Sequence, residues 1–251
     1  MKVVFHERFL EYYTSDPAAV PGRLDPALAL AKEHYSLVSP YPCTEEQLLR
    51  VHNPSHIAHI RADQSVYPIA LLAAGAAVEA SRLAMAEEPA FALCRPPGHH
   101  ASPDSCWGFC YFNNVAVAVK ELLALEMVKK VLIVDFDLHY GDGTANIFNN
   151  IQAVTYRHLK GQNREAFLEN LLEFIKNEKA DLVAVSAGFD RHIKDWGGLL
   201  TTEDYGKIGH MLGEFARAHC GGRIFAALEG GYNARSLGDA FDAFCRGVEN
   251  P

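Results

Sequence analysis

Apolar runs and helix-forming segments alternate along most of this chain. The clearest apolar run, Val131 to Val134, has no polar alternation and leads directly into Asp135. A run of this kind predicts a strand that is buried on both faces of a sheet. Similar runs predict strands at residues 2–5, 90–94, 151–156, 181–187 and 223–228.

The segments between the runs carry helix signals. Asp25 and Pro26 have the form of an N-cap and first helical residue, and Thr44 with Gln47 has the form of a capping box. A further helix starts near Thr201 or Thr202. Other helices are predicted at residues 26–33, 69–86, 114–125, 163–179 and after 233. Such alternation predicts an α/β fold, with a parallel sheet covered on both faces, in a single domain spanning residues 1–251.

Composition narrows the classes of function. The chain is 49% hydrophobic and 22% charged, which argues against disorder, and its net charge of −8 gives no basic footprint for nucleic acid. The N-terminal sequence MKVVFHERF lacks the apolar core of a secretion signal. The apolar segment 69–86 contains Glu79 and Arg82, which favours a core helix over a membrane span. We therefore expect a cytoplasmic protein that binds neither nucleic acid nor membrane.

The six cysteines lie mostly in apolar surroundings, so we expect reduced, buried thiols. Cys106 and Cys110 are four residues apart, but the sequence offers no evident partners for them as a metal-binding pair.

Chemically versatile residues follow four of the predicted strands. They are His99 with His100, the segment Asp135 to Asp142, Asp190, and Tyr232. The carboxyl ends of parallel strands share one edge of the sheet, where ligands bind in open α/β folds. Each motif also has a plain structural interpretation as a loop or glycine turn. Their coincidence at four strand ends favours a functional site.

The spacing of residues within the segment Asp135 to Asp142 predicts a metal centre. Asp137 and His139 are two residues apart and project to the same side of an extended backbone, as does Asp135. Asp190 is a further candidate ligand. Together with Asp137 and His139 it gives two carboxylates and one imidazole, and catalytic zinc sites use three protein ligands. Zinc lowers the pKa of a coordinated water to about 7 and polarises a neighbouring carbonyl.

The remaining residues have roles around such a metal. His99 and His100 are candidates for general base and general acid, and Asp135 and Asp142 are candidates to fix their tautomers. Tyr232 is a candidate donor to the oxyanion of a tetrahedral intermediate. The set predicts a metal-assisted amide or ester hydrolase.

Five blocks carry a family resemblance: RPPGHHA at 95–101, GFCYFNN at 108–114, VDFDLHYGDGT at 134–144, SAGFD at 186–190 and LEGGYN at 228–233. They resemble, in order, the signature blocks of the zinc-dependent histone deacetylase superfamily, which includes acetylpolyamine amidohydrolases and bacterial deacetylase-like proteins. The resemblance implies a three-layer, arginase-like fold with a mostly parallel sheet of about eight strands.

The resemblance also assigns residue roles. It implies that zinc is bound by Asp137, His139 and Asp190. It pairs the catalytic His99 with Asp135 and His100 with Asp142, and it makes Tyr232 the residue that polarises the acyl carbonyl. It further implies that Gly108 and Phe109 line the channel for the acyl-lysine stem.

The chain departs from the family pattern at several positions. Tyr140 replaces a usual second histidine, and Tyr156 stands where relatives offer a serine to a monovalent cation, which leaves a potassium site near Asp135 as an expectation. Gly197 lies near the position of an acidic gatekeeper in polyamine-selective members. After His158 the long loop that forms one channel wall is missing.

These features predict a zinc-dependent deacylase that cleaves N-acyl, mainly acetyl, amides of lysine side chains in peptides or proteins, or of small amines. The missing wall predicts relaxed substrate choice. One alternative is a weakly active, deacetylase-like scaffold that binds acylated or cationic ligands. Another is an arginase-type hydrolase with two manganese ions, which would need a carboxylate where Gly141 stands.

Overall fold

A parallel sheet forms the centre of the computed structural model, which describes residues 1–250. In this range the sheet has seven strands in the order β2-β1-β3-β7-β6-β4-β5. The strands are β1 (Lys2–Val4), β2 (Ser36–Val38), β3 (Ala90–Ala92), β4 (Val131–Asp135), β5 (Val154–His158), β6 (Leu182–Ala187) and β7 (Ile224–Leu228). All of the pairings between them are parallel. The predicted α/β class is confirmed, and the strand number is close to the expected eight.

Nine α-helices accompany the sheet in the described part of the chain. They are α1 (Asp25–His34), α2 (Glu45–Leu49), α3 (Pro54–Arg61), α4 (Tyr67–Met85), α5 (Asn114–Ala124), α6 (Asp142–Phe148), α7 (Arg164–Ile175), α8 (Thr202–Cys220) and α9 (Ala234–Glu249). Helices α4 and α5 pack on each other and on β7, whereas α8 packs on α9, β6 and β7. Helices therefore cover the sheet as predicted.

Local sequence signals explain most element boundaries. Thr44 and Gln47 form the predicted capping box of α2, and Thr201 forms another with Asp204 at the start of α8. Helix α1 begins one residue earlier than predicted, with Leu24 rather than Asp25 at the N-cap. Strand β5 is shifted from 151–156 to 154–158. Every residue of β4, β6 and β7 is buried, in agreement with their apolar sequences.

Helix α4 is a core helix. It is the one described helix long and apolar enough to cross a membrane, with a mean hydropathy of 1.3, but 67% of that window is buried inside the fold. It packs against β1, β3 and β7. Its apolar character is thus explained by its position over the sheet.

His52 anchors the loops that carry several candidate residues. Its Nδ1 atom lies 2.9 Å from the Ser102 carbonyl, and its Nε2 atom accepts a hydrogen bond of 3.0 Å from the Asn113 amide. This arrangement requires a neutral ring, with the proton on Nδ1. Burial, reinforced by the nearby His56, lowers the pKa of His52 to about 3.

The buried His52 should make folding stability depend on pH. The unfolded chain gains a proton near the ordinary pKa of 6.5, whereas the folded chain gains it only near 3, so stability is lost as pH falls below 6.5. We expect this group to contribute a loss of about 2 kcal/mol between pH 7 and pH 5. Denaturant unfolding of the wild type and His52→Gln at both pH values measures it. An equal loss in the two proteins would contradict the assignment.

Candidate active site

The predicted functional residues meet at the carboxyl edge of the sheet. The loops after β3, β4, β6 and β7 converge there, and they surround a pocket of about 120 Å³. The pocket is lined by the tandem histidines, His139, Gly108, Phe109, Tyr232 and two tryptophans, among others. Ligand atoms of Asp137, His139 and Asp190 cluster within 4.8 Å of one another.

Asp137, His139 and Asp190 have the geometry of a metal centre. The His139 Nδ1 atom lies 3.3 Å from both Asp137 Oδ1 and Asp190 Oδ2. Backbone amides hold the other carboxylate oxygens: Gly230 donates to Asp137 Oδ2 at 2.8 Å, and Leu138 donates to Asp190 Oδ1 at 3.0 Å. The buried Asp190 Oδ2 has no hydrogen-bond partner within residues 1–250. The three candidate ligand atoms are two carboxylate oxygens, one of them this unpaired oxygen, and one imidazole nitrogen. This set fits a zinc ion.

The electrostatics of the cluster also favour a cation. Burial and the charge of Asp137 raise the pKa of Asp190 to about 6. Burial acts in the same direction on Asp137, but the neighbouring His99 and a hydrogen bond with His139 keep its pKa below the usual range. Contacts with the two carboxylates raise the pKa of His139 to about 9. The site therefore stabilises positive charge between its carboxylates.

Glycines let the backbone approach the metal ligands. A Cβ atom at Gly230 would lie 2.6 Å from Oδ2 of both Asp137 and Asp190, and one at Gly188 would lie 2.5 Å from the Asp137 Cα atom. Neither distance is compatible with an ordinary contact. The GFD and EGGYN motifs thus supply close backbone approach as well as side chains.

Each tandem histidine is paired with a carboxylate. His99 Nδ1 lies 3.2 Å from Asp135 Oδ2, and His100 Nδ1 lies 2.6 Å from Asp142 Oδ1. The two ring centroids are 4.1 Å apart. With both Nδ1 atoms engaged, the Nε2 atoms remain for chemistry.

The two rings differ in charge because their surroundings differ. Burial acts to lower the pKa of His99, but Asp137 and Asp135 raise it well above the usual value. Burial and the neighbouring His99 lower the pKa of His100, despite its bond to Asp142. The surroundings therefore favour the cationic form of His99 and the neutral form of His100. Opposite shifts in adjacent groups are typical of a division between acid and base roles.

Tyr232 lines the same pocket as the histidines. Its ring stacks on Trp196 at a centroid distance of 3.9 Å, and its backbone amide donates to Asp195 Oδ2 at 2.7 Å. Burial raises the pKa of Tyr232, so its hydroxyl stays protonated and can donate a hydrogen bond. The Phe109 ring lies edge-on to it at 6.1 Å.

Gly108 and Phe109 form a tight turn beside His100. Both have positive φ angles, 59° and 66° respectively. A Cβ atom at Gly108 would lie 2.5 Å from His100 Cδ2, so glycine is required on both conformational and steric grounds. Phe109 has no such freedom, and its left-handed backbone is locally strained.

Three site residues were not identified from the sequence. Trp107 stacks on His100 at 3.9 Å and donates from Nε1 to Asp142 Oδ2 at 2.9 Å. Trp196 supports Tyr232, as described above. Glu229, noted only as part of its motif, accepts hydrogen bonds on Oε2 from the amides of Gly98 at 2.6 Å and His99 at 3.1 Å. No spacing rule indicates these contacts, since most of them join different loops and Trp107 meets His100 within one long irregular loop.

Two predicted departures from the family pattern have structural counterparts. Residues 159–163 alone join β5 to α7, and they do not line the pocket. The Tyr156 hydroxyl donates to Asp135 Oδ2 at 2.9 Å, on the oxygen that also faces His99. Potassium binding near Asp135 stays a prediction.

Gly230 offers a direct test of the metal centre. We expect Gly230→Ala to weaken zinc binding 10- to 100-fold, because the new methyl group would collide with both carboxylates. Zinc affinity can be measured by competition with a chromophoric chelator. Gly206→Ala is a matched control, since a Cβ atom there would have 3.6 Å of room and should leave affinity unchanged. Wild-type affinity in Gly230→Ala would exclude these residues as the zinc site.

Comparisons with known proteins identify the family of this chain. The profile of the family described as "Histone deacetylase domain" matches residues 19–167 and 157–248. A probable deacetylase of Archaeoglobus fulgidus is 29% identical, and the match covers 92% of this chain and 81% of that protein. The chloroplastic histone deacetylase 10 of Oryza sativa subsp. japonica is 35% identical over 73% of this chain, but this chain spans only 52% of it.

A bacterial relative and a solved structure extend the comparison. The histone deacetylase-like amidohydrolase of Pseudomonas aeruginosa is 28% identical, with 81% of this chain and 67% of that protein covered. The crystal structure of the HDA15 HD domain superposes with a TM-score of 0.88 at 28% identity, covering 100% of this chain and 91% of that one. The chain therefore belongs to the histone deacetylase domain family, as its sequence blocks indicated.

Proposed function

We propose that this protein is a zinc-dependent deacylase that hydrolyses N-acyl amides of lysine side chains, in peptides or proteins, or of small amines. The observation that carries the proposal is the cluster of Asp137, His139 and Asp190 at a pocket whose walls hold two paired histidines and a tyrosine. Membership of a deacetylase family supports hydrolysis of an acyl amide in general.

Asp137, His139 and Asp190 would hold the zinc ion. When bound, zinc supplies a Lewis acid that polarises the acyl carbonyl and lowers the pKa of water to about 7. The protein fixes the positions of both carboxylate ligands through the backbone amides of Gly230 and Leu138. Such support keeps the ligand atoms in place before substrate arrives.

The two histidines would have different roles, and His100 would transfer the protons. His100 is neutral at neutral pH, so its Nε2 atom can accept the proton of the attacking water. Asp142, 2.6 Å from Nδ1, would stabilise the imidazolium that forms. The same nitrogen can then give the proton to the leaving amine. Asp135 and Asp137 favour the protonated form of His99, and a positive charge there would stabilise negative charge developing on the substrate.

Tyr232 would stabilise the oxyanion of the tetrahedral intermediate. Its protonated hydroxyl belongs to the pocket that the histidines also line. The stacked Trp196 ring and the bond from its amide to Asp195 restrict its position. A fixed donor of this kind costs no reorganisation during the reaction.

The substrate stem would pass between Phe109 and the exposed rim. Phe109, Trp107 and Trp196 provide apolar surface for methylene groups, and both tryptophans are about half exposed. The pocket is small, and residues 159–163, the short connection from β5 to α7, do not line it. We therefore infer a substrate site that is closed around the acyl carbonyl and open beyond it.

The oxyanion role predicts the behaviour of Tyr232→Phe. We expect kcat for an acetyl-lysine peptide to fall about 10²- to 10³-fold, because one hydrogen bond to the transition state is lost. Zinc content should stay at the wild-type level, since the ring makes no ligand contact. Steady-state kinetics with parallel metal analysis distinguishes the two effects. An almost unchanged kcat would rule out Tyr232 as the oxyanion donor.

The open side predicts relaxed acyl selection. We expect hydrolysis of acetyl-, butyryl- and longer acyl-lysine peptides with kcat/KM values within about tenfold of one another, since one missing or added methylene changes binding by about 1–3 kcal/mol only in a closed pocket. Acetylpolyamines belong in the same panel. Tight binding without turnover of any member would instead favour the scaffold alternative.

A further inference from the structure

We propose that His99, Cys110 and Glu229 form a second, buried metal site that takes a thiophilic divalent cation such as Zn²⁺ and inhibits the enzyme when it is filled. The site shares no ligand with the cluster of Asp137, His139 and Asp190. The number of metal ions bound can be tested independently of the proposed deacylase function, whereas the inhibition rests on that function.

Geometry brings the three side chains together. One ligand atom from each of His99, Cys110 and Glu229 lies within 4.8 Å of the others, and all three residues are buried. Ligand atoms around tetrahedral zinc are about 3.3–3.8 Å apart, given metal bonds of about 2.0–2.3 Å. A small inward movement of these side chains would complete three ligand positions.

Glu229 supplies an oxygen that the fold leaves unused. Its Oε2 atom accepts two backbone hydrogen bonds, but its Oε1 atom, although buried, finds no donor in the described chain. An unpaired buried carboxylate oxygen carries a desolvation cost that no hydrogen bond offsets. A bound cation would remove that cost, which makes Oε1 a natural ligand atom.

The donor set suits zinc. Thiolate sulfur, imidazole nitrogen and carboxylate oxygen are its preferred protein ligands, and a thiolate selects for thiophilic ions over magnesium or calcium. The thiolate and the carboxylate together balance a double positive charge in the interior. His99 Nδ1 faces Asp135, so Nε2 is the nitrogen that remains for a metal.

Cys110 is poorly suited to act as a nucleophile instead. Only 2% of the residue is exposed, and burial raises the pKa of its thiol well above the usual value. Its sulfur hydrogen-bonds to the Gly108 carbonyl rather than to His99. A thiol in such surroundings is inert towards substrates, whereas a metal can displace its proton on binding.

The position of His99 determines how a metal ion reaches this site and how it would inhibit the enzyme. This residue lines the substrate pocket, so an ion can reach the site from there. Coordination would occupy the His99 Nε2 atom, which lies 3.7 Å from the Asp137 Oδ1 atom. With Nδ1 engaged by Asp135 and Nε2 bound to the ion, His99 would have no free ring nitrogen left at the substrate pocket.

Cobalt titration tests the site. Metal-free wild-type protein titrated with Co²⁺ should bind two equivalents, and one of them should produce a thiolate-to-cobalt charge-transfer absorption. Excess Zn²⁺ should lower kcat at least tenfold. Cys110→Ser should bind one equivalent, lack the absorption, keep its basal activity and resist excess zinc. Cys106→Ser, a nearby half-buried thiol outside the cluster, is the control and should match the wild type.

Two further variants keep the test decisive. Glu229→Gln preserves an acceptor for the Gly98 and His99 amides, so it should remain folded, as circular dichroism can verify, yet lose the second equivalent. Asp137→Ala should lose the first equivalent and keep the charge-transfer absorption. Saturation of the wild type at one metal, or an unchanged absorption in Cys110→Ser, would overturn the second site. Inactivity of the wild type alone would count against the proposed deacylase and leave these metal readouts intact.

Discussion

Two buried carboxylates facing one another set the terms for the rest of this structure. Asp137 and Asp190 are 1% exposed or less, and bringing like charges together in the interior is costly unless hydrogen bonds and a cation compensate. Backbone amides supply part of that compensation, and His139 contacts both carboxylates. Arg191 adds donors to the carbonyls of Asp137 and Leu138. The loops at this edge are therefore arranged to stabilise concentrated negative charge.

The strand order explains how distant segments meet there. Strands β3, β7, β6 and β4 are consecutive in the sheet, although they lie far apart in the chain. Their carboxyl ends deliver in turn the tandem histidines, the Gly230 and Tyr232 turn, Asp190, and the Asp137 segment. Each loop needs to reach only its neighbour. Close packing between loops then places glycines where a side chain would displace a ligand.

Sequence patterns could predict the parts of this site that depend on a single segment. Apolar runs located the buried strands, and the two-residue spacing placed Asp137 beside His139. Strand β2 was missed because it is short and mostly exposed, and α6 was missed because Asp142 and Gly143 resemble a turn. Contacts between loops have no local signal. Cys110 was compared with nearby Cys106, whereas its spatial neighbours are His99 and Glu229.

The rim of the pocket links substrate contact to catalysis. Trp107 donates to one oxygen of Asp142, while the other oxygen of the same carboxylate faces His100. Trp196, the second exposed tryptophan, stacks on Tyr232, the proposed oxyanion donor. The short connection from β5 to α7 contributes no residue to the pocket, and both tryptophans are exposed. They are therefore large apolar surfaces that a bound acyl substrate would contact outside its acyl group. In the proposed deacylase, a substrate that contacts either ring would also act on the residue behind it, so selection and turnover would depend on the same contacts.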